Sequence, residues 1–315
     1  MIVQSTYRNV EHFFLLLMMF SITLMHSTPV HAQTIGDMIL GTAYGLGTAP
    51  FLLQGIAYLL GIGFGVYGIL KFKQHVDQPA QYPLMDGVRY MLAATFFVAI
   101  PIFADYVIAT FGLDYANAPT NTGLAFGDTG SGFTVDGMLQ ALALDISMPM
   151  MLLFDIFAFV AGIILLMIGI HRITAKMDQG ARSPVGLGTL MHFVVAAVLM
   201  SGTHALGAFS ETIFGTSDIK TYAVITSDAQ LDGNLQERAQ AILASVQTLL
   251  TIIGIISFIK GWFVLKSASD GNSQATMMSG FTHIIAGVIA VNIGPFINAV
   301  QLTFGLDPAN GLLFR

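Results

Sequence analysis

The sequence predicts an all-α membrane protein with six transmembrane helices, arranged as three repeated helical hairpins and preceded by a cleavable signal peptide. Three observations predict this fold class. The 315 residues are 55% hydrophobic and only 10% charged, whereas soluble domains carry about 25% charged residues. Six apolar runs are each about 20 residues long, enough to cross about 30 Å of hydrocarbon. Polar segments also recur at intervals of about one hundred residues.

Charge and cysteine content exclude several classes of protein. The net charge is -6, whereas a nucleic-acid-binding protein needs a basic surface, so we expect no direct nucleic-acid binding. The chain has no cysteine, which excludes disulfides, thiolate metal sites and a cysteine nucleophile.

The N-terminal segment has the features of a signal peptide. Arg8 precedes an apolar run at 13–25, Pro29 follows this run, and a small-residue pattern ends at Ala32. The thirteen apolar residues are too few to span a bilayer comfortably. We therefore predict cleavage after Ala32, with an uncleaved anchor as the alternative.

The six apolar runs are predicted to be membrane-spanning helices. They do not show the alternation of a β-barrel strand, and a helix satisfies its own backbone hydrogen bonds in lipid. The runs lie near 51–70, 90–111, 149–171, 189–210, 246–265 and 281–304.

Lys and Arg are concentrated in the linkers after the first, third and fifth runs. Because positive charge favours the cytoplasmic side, these linkers are predicted to be cytoplasmic elbows. The predicted location is the bacterial inner membrane, with several passes and with both mature termini in the periplasm.

The elbows belong to a longer repeat. GILKFKQHVDQPAQYP at 68–83 recurs as GIHRITAKMDQGARSP at 169–184, with Gly, Ile, Asp, Gln, Ala and Pro at identical offsets. Each unit opens on a related polar segment, continues through an outer amphipathic helix and two membrane helices, and closes on Phe-Gly. The third elbow, KSASDGNSQATMMSG, has lost the Asp-Gln-x-Ala-x-x-Pro pattern. The predicted organisation is a signal peptide at 1–32, hairpin repeats at 33–112, 134–215 and 230–305, periplasmic linkers at 113–133 and 216–229, and a periplasmic tail at 306–315.

The elbow residues suit a short connection between two antiparallel helices. Lysines can hold an elbow at the anionic cytoplasmic leaflet, an aspartate can cap the next turn, and a proline prevents the helix from continuing. Two interpretations stay open: a stable hairpin connection, or a docking site for a cytoplasmic partner. The candidate elbow residues are Lys71, Lys73, Asp77 and Pro83 in the first unit and Arg172, Asp178 and Pro184 in the second.

Glycines in the first membrane helix are candidates for helix packing. Gly61 and Gly65 form a G-x-x-x-G pattern, and Gly68 follows on the same helix. Such small-residue faces let another helix approach closely, either within the same hairpin or in self-assembly.

Two aspartates are predicted to lie within the membrane helices. Asp105 and Asp155 either pair with neighbouring polar groups or, together with Asn292 and Asn298, line a polar path. The second interpretation would make the chain a free-standing transporter or channel.

The sequence contains no recognisable catalytic or cofactor site. His171 and His192 both lie near the predicted cytoplasmic face, where two histidines could hold a haem, but no metal-ligand spacing accompanies them. We therefore predict no catalytic residues, no metal and no cofactor.

The segment GVYGILKFKQHVDQPAQYPL, followed by an apolar helix containing Pro101, resembles the DotE/IcmC-type inner-membrane proteins of type IVB secretion and IncI-type conjugation systems. The resemblance is best over 52–112 and fainter over 152–215, and this chain has three units rather than one hairpin or two. It implies a non-enzymatic, structural or channel-forming subunit of such an apparatus. Its expected partners are other membrane subunits of the machine, further copies of itself, and the lipid bilayer.

Overall fold

The computed structural model of this chain describes residues 34–111, 135–178, 186–215, 223–225, 233–306 and 312–314. The predicted signal peptide at 1–32 and the linker at 113–133 lie outside these residues. Helices dominate the described part of the chain, which confirms the all-α class.

Nine helices and two short strands make up the described residues. They are α1 Ile35–Leu46, α2 Ala49–Asp77, α3 Leu84–Phe111, α4 Val135–Asp178, α5 Leu187–Met200, α6 Thr203–Phe214, β1 Ala223–Ile225, α7 Gly233–Ser269, α8 Met277–Val291, α9 Ile293–Thr303 and β2 Leu312–Phe314.

Four of the helical stretches in the described residues are long and apolar enough to cross a membrane, and the number rises to six if each of two bent helix pairs counts as one span. This agrees with a multi-pass membrane protein. The four stretches are Ile35–Asp77, Leu84–Val107, Asp145–Thr174 and Arg238–Ser269.

The third and fifth predicted spans are parts of much longer helices. The run at 149–171 lies within α4, which has 44 residues, and the run at 246–265 lies within α7, which has 37. The separate outer amphipathic helix predicted before each span was therefore wrong for these two units, since it continues directly into the spanning helix. In the first unit α1 and α2 are distinct, because the chain is interrupted at Gly47 and Thr48.

The fourth and sixth predicted spans are each divided into two helices by a sharp bend. The chain bends by 93° between α5 and α6, and by 88° between α8 and α9. In contrast, α3 continues through Pro101.

A small antiparallel ladder was not predicted. Its strand β1 lies within the predicted linker at 216–229 and β2 within the predicted tail at 306–315, with Ala223 opposite Phe314. The ladder brings the end of the chain next to the segment between α6 and α7.

Consecutive long helices pack together as three pairs, which we call the first pair (α2 and α3), the second pair (α4 and α5) and the third pair (α7 and α8). One buried apolar cluster joins the first pair to the second, and another joins the second pair to the third. The second pair therefore lies between the other two.

Candidate functional site

Glycine allows close contact within the first pair. A Cβ atom on Gly61 would lie 2.7 Å from Val98 Cγ2, and one on Gly68 would lie 3.0 Å from Met91 Cγ. Gly65 is less crowded, because its Cβ would make an ordinary contact of 3.7 Å with Ala94 Cβ. Of the three candidate packing glycines, Gly61 and Gly68 therefore lie at the tightest α2–α3 contacts.

The same contacts recur in the other two pairs. A Cβ atom would lie 2.5 Å from Met200 at Gly162, 3.1 Å from Phe193 at Gly169, 2.7 Å from Val291 at Gly254 and 2.6 Å from Ile284 at Gly261. In each pair the two glycines are seven residues apart, which is about two turns of helix. The earlier glycine contacts the later partner residue, as expected for two antiparallel helices. None of these four glycines was predicted as a packing contact, although Gly169 was matched to Gly68 in the elbow repeat and the seven-residue spacing was a readable signal.

An ion cluster joins the second pair to the third at the end where the elbows lie. Its members are Arg172, His192, Lys266 and Asp270. Arg172 Nη1 donates a hydrogen bond to Asp270 Oδ1, and Lys266 Nζ lies 3.1 Å from Asp270 Oδ2. His192 is fully buried, with Nδ1 2.7 Å from the carbonyl oxygen of Gly188 and Nε2 3.8 Å from Asp270 Oδ2.

Two opposing influences act on the pKa of Asp270. Burial raises the pKa of this carboxyl group, but hydrogen bonds and charge from Arg172 and Lys266 outweigh burial and hold the pKa below its ordinary value. Asp270 is therefore ionised at neutral pH and acts as the acceptor at the centre of the ion cluster. Asp270 was not predicted, although it follows Asp178 by about the distance that separates Asp178 from Asp77.

The candidate residues of the first elbow lie in the last two turns of α2 and in the short connection to α3. Lys71 Nζ lies 5.4 Å from the ring centroids of both Tyr67 and Tyr82, a cation–π arrangement. Asp77 is the last residue of α2, and Pro83 immediately precedes α3. Lys73 is exposed on α2.

The candidate residues of the second elbow are only partly described. Arg172 belongs to the ion cluster, and Asp178 is the last residue of α4. Pro184 lies outside the described residues.

Asp155 caps a helix of the same unit. Its Oδ1 accepts a hydrogen bond of 3.1 Å from the backbone N–H of Thr203, and Oδ2 accepts one of 3.4 Å from the Thr203 hydroxyl. Thr203 is the first residue of α6, so the carboxylate satisfies a backbone donor that the bend would leave unpaired. Asp155 therefore holds the break between α5 and α6.

Asp105 and Asn292 also join helices. Asp105 Oδ1 accepts a hydrogen bond of 3.2 Å from Gln54 Nε2, which ties α3 to α2. At the bend between α8 and α9, Asn292 Nδ2 donates to the Val288 carbonyl at 2.9 Å, and Oδ1 accepts from the Ser210 hydroxyl at 2.9 Å. This second bond links the bend of the third unit to α6 of the second unit. Asn298 lies in α9.

The polar segment that opens the first unit also has a structural explanation. Thr34 and Asp37 form a reciprocal capping box at the start of α1. Asp145 of α4 accepts hydrogen bonds of 2.8 Å from both the Thr34 hydroxyl and the Gly36 N–H. Sequence reasoning missed Asp145, because nothing in the sequence indicated that α1 would lie beside α4.

The two histidines considered for a haem have other surroundings. His192 belongs to the ion cluster, while the ring of His171 lies 6.4 Å from that of Phe64. Within the described ranges, no group of three or more His, Cys, Asp or Glu side chains could hold a metal ion.

Comparisons with known protein families, with characterised proteins and with solved structures find no match for this chain. Its function is therefore inferred from its own residues.

Proposed function

We propose that the chain is a non-enzymatic, structural or channel-forming subunit of a type IV secretion or conjugation apparatus in the bacterial inner membrane. One observation carries the structural part of this proposal: polar side chains within the apolar helices are used to join helices. Asp105, Asp155 and Asn292 each hydrogen-bond a residue of another helix. Polar groups employed in this way suit a scaffold whose helices must keep fixed positions.

The proposed scaffold consists of three copies of one helix-pair module. The recurring glycine contacts support this view, because each pair has two close contacts seven residues apart on its first helix. Three unrelated helix pairs would have no reason to share this spacing. Duplication of one pair would copy both the glycines and their partners.

The secretion or conjugation class is supported by the resemblance of the first elbow and its flanking helices to DotE/IcmC-type proteins. In the structure this elbow is a short turn between two packed helices, and Lys71 lies over two tyrosine rings. A cation that the two rings hold in a defined position at the end of α2 suits contact with a neighbouring subunit as well as with anionic lipid.

The proposed orientation places the elbows in the cytoplasm and the mature termini in the periplasm. It is supported by the concentration of Lys and Arg in the elbows, which favours their retention on the cytoplasmic side.

Affinity isolation from native membranes tests the proposed function. A tagged chain, solubilised in mild detergent, should bring along other membrane subunits and the ATPases of a secretion or conjugation machine. Deletion of the chain should abolish substrate transfer by that machine. Recovery of the chain without such subunits, together with unchanged transfer in the deletion strain, would contradict the proposal.

A transporter or channel is the second candidate, and the two helix breaks favour it. Discontinuous helices with polar groups at the break form the binding sites of many transporters. The break between α5 and α6 lies beside a small, mostly apolar pocket whose lining includes Asp155, Gly202 and Thr203. In that case the Asp155 carboxylate would carry an ion or proton in addition to capping α6.

Substitution of Asp155 separates these two functions. The Asp155→Asn side chain keeps an oxygen that can accept from the Thr203 N–H, so we expect an intact fold and nearly normal transfer activity. Asp155→Ala removes the cap and should destabilise the fold by about 0.5–2 kcal/mol. Both variants are compared by thermal unfolding in detergent and by the transfer assay. A correctly folded Asp155→Asn protein that has lost transfer activity would show that the carboxylate does more than cap α6, as carriage of an ion or proton requires.

A further inference from the structure

We propose that copies of this chain join head to tail in the membrane, with the third pair of one copy packed against the first pair of the next. The surface involved on the first pair is the free face of α2, formed by Leu59, Ile62, Val66 and Ile69. This inference rests on the proposed module, because it compares equivalent residues of the three pairs.

Equivalent residues are identified from the glycine contacts. Gly61, Gly162 and Gly254 make the same contact in their respective pairs, so the residues that follow them, Ile62, Ile163 and Ile255, are equivalent. Ile163 is 0% exposed and Ile255 is 4% exposed, whereas Ile62 is 62% exposed. The same isoleucine is therefore buried against protein in the second and third pairs and uncovered in the first.

The other residues of the free face of α2 show the same difference in exposure from their equivalents. Its residues are strongly exposed, while their equivalents in α4 and α7 are covered by neighbouring helices. The exposed residues Leu59, Val66 and Ile69 correspond to the buried residues Val160, Met167 and Ile170 of α4, and Leu59 and Ile69 correspond to the buried residues Ile252 and Trp262 of α7.

Contact with lipid alone does not explain this difference. A face that meets lipid in every unit should be exposed in all three pairs, and one such face exists on the second helix of each pair. Its equivalent residues Leu92, Val194 and Ile285 are 52%, 41% and 50% exposed. The free face of α2 differs, because the equivalent faces of α4 and α7 are covered by the preceding pair.

The direction of joining is the same at both internal interfaces. Each pair covers the first helix of the pair that follows it: the ring of Phe64 in α2 lies 6.4 Å from that of His171 in α4. At the next interface, the ring of Phe209 in α6 lies 5.9 Å from that of Trp262 in α7. The pairs are thus arranged head to tail, and such heterologous contacts continue into a ring or an open filament unless an end is covered.

The opposite end of the row supplies the matching surface. In the first two pairs the equivalent residues Ala93 and Val195 are buried against the following pair, whereas Ala286 in the third pair is exposed. The helix α9 corresponds to α6. Counted from the first residue of each helix, Ala299 occupies the position equivalent to Phe209, and Ala299 is exposed. Ala299 of one copy is therefore expected to face Ile69 of the next, as Phe209 faces Trp262.

Cysteine cross-linking tests this contact, and the chain is suited to it because it contains no cysteine. A copy carrying Ile69→Cys and a second, differently tagged copy carrying Ala299→Cys are co-expressed in the native host. The membranes are then treated with an oxidant, or with a flexible bis-maleimide that tolerates a wider separation than a disulfide. We expect a cross-linked product that carries both tags.

The matched control replaces Ile69→Cys with Leu92→Cys, which is similarly exposed but lies on the face that is open in every pair. The product with Ile69→Cys should exceed the control product severalfold. Equal yields from the two pairs of variants, or no product from variants that unfold at the wild-type temperature, would overturn the proposal.

Two further outcomes identify a different occupant of the free face of α2. A cross-link within one chain, between Ile69→Cys and Leu17→Cys, would show that the chain's own apolar segment at 13–25 covers this face. An adduct between Ile69→Cys and another membrane protein would overturn self-assembly but leave the secretion function standing. Conversely, self-association in membranes without any secretion partner would overturn the proposed function alone.

Discussion

At the scale of single residues, the distance to the neighbouring helix, rather than the G-x-x-x-G pattern, determines how much a glycine contributes to helix packing. The G-x-x-x-G pattern indicated Gly61 and Gly65, yet the closest contacts with α3 are at Gly61 and Gly68. Helix association in lipid lacks the hydrophobic driving force available in water and depends on close packing. The two glycines at which α3 approaches most closely should therefore contribute most to pairing.

Gly61→Ala should weaken the first pair. The added Cβ would lie 2.7 Å from Val98 Cγ2 and 3.2 Å from the Ala94 carbonyl oxygen, so the two helices would have to separate. We expect a loss of about 1–3 kcal/mol, typical of overpacking, measured as the free energy of unfolding in detergent micelles.

The control for this experiment is Gly65→Ala, in which the new methyl group has an ordinary contact distance. This variant should be neutral or gain up to about 1 kcal/mol from the better helix propensity of alanine. Equal destabilisation by both substitutions would show that the Gly61 contact is not special.

Asp270→Asn should weaken the contact between the second and third pairs at neutral pH. The substitution removes the charge that Arg172, Lys266 and His192 face, and we expect destabilisation by about 1–3 kcal/mol. The control is Asp86→Asn, because Asp86 forms a partly exposed ion pair with Arg89 within one helix and should matter by less than about 1 kcal/mol.

The effect of Asp270→Asn should also depend on pH. The pKa of Asp270 is lower in the folded chain than in the unfolded chain, so the carboxylate stabilises the fold above the unfolded pKa of about 3.9. This contribution is lost as the pH falls through the lower, folded pKa. Unfolding measured as a function of pH should show the wild type and the variant converging below about pH 4. A difference that persists at lower pH would exclude this electrostatic origin.

At the scale of elements, the helix breaks depend on glycine and on polar caps. Gly202 has φ +54° and ψ −129°, a conformation that residues with a side chain rarely adopt. A Cβ at this position would also lie 2.7 Å from the capping oxygen of Asp155. The bend between α5 and α6 therefore requires glycine at position 202.

Gly202→Asn should disrupt the break, at a cost of about 1–3 kcal/mol for the strained backbone alone. The matched control is Gly215→Asn at the end of α6, where φ is +70°, ψ is 15° and the surrounding space is open. Asparagine tolerates this left-handed conformation, so the control should be nearly neutral. Thermal unfolding of the purified variants measures both effects, and a neutral Gly202→Asn would mean that the bend can form without glycine.

The existence of long apolar helices could be predicted from the sequence, but their direction and length could not. Hydropathy detects an apolar stretch of sufficient length, and it finds the same stretch whether the helix is straight or bent at Asn292. The visible helix breaker was misleading, because Pro101 leaves α3 continuous while the bends occur at Gly202 and Asn292. Whether such a residue bends a helix depends on partners such as Asp155 and Ser210, which belong to distant segments.

At the scale of the whole molecule, the order of the pairs determines which polar residues meet. Arg172 could be predicted as an elbow residue, but its bond to Asp270 exists only because the third pair lies beside the second. Similarly, Asp145 caps α1 only because α4 lies beside α1. Local spacing does not determine which pairs become neighbours. The helix pairs and part of the candidate residues could therefore be predicted from the sequence, but the contacts between pairs could not.

The proposed orientation predicts which ends of the molecule can be labelled from each side of the membrane. Gln81 in the first elbow, Ser273 in the third elbow and Leu306 after α9 are all exposed, and the chain has no competing cysteine. Because the cationic elbows should remain in the cytoplasm, Gln81→Cys and Ser273→Cys should react with a membrane-impermeant maleimide only in inverted vesicles. Leu306→Cys should react in intact spheroplasts. Reaction of Gln81→Cys and Ser273→Cys from opposite sides would mean that the chain crosses the membrane an odd number of times between them. Three pairs inserted in the same sense require an even number of crossings, so this result would contradict the proposed orientation.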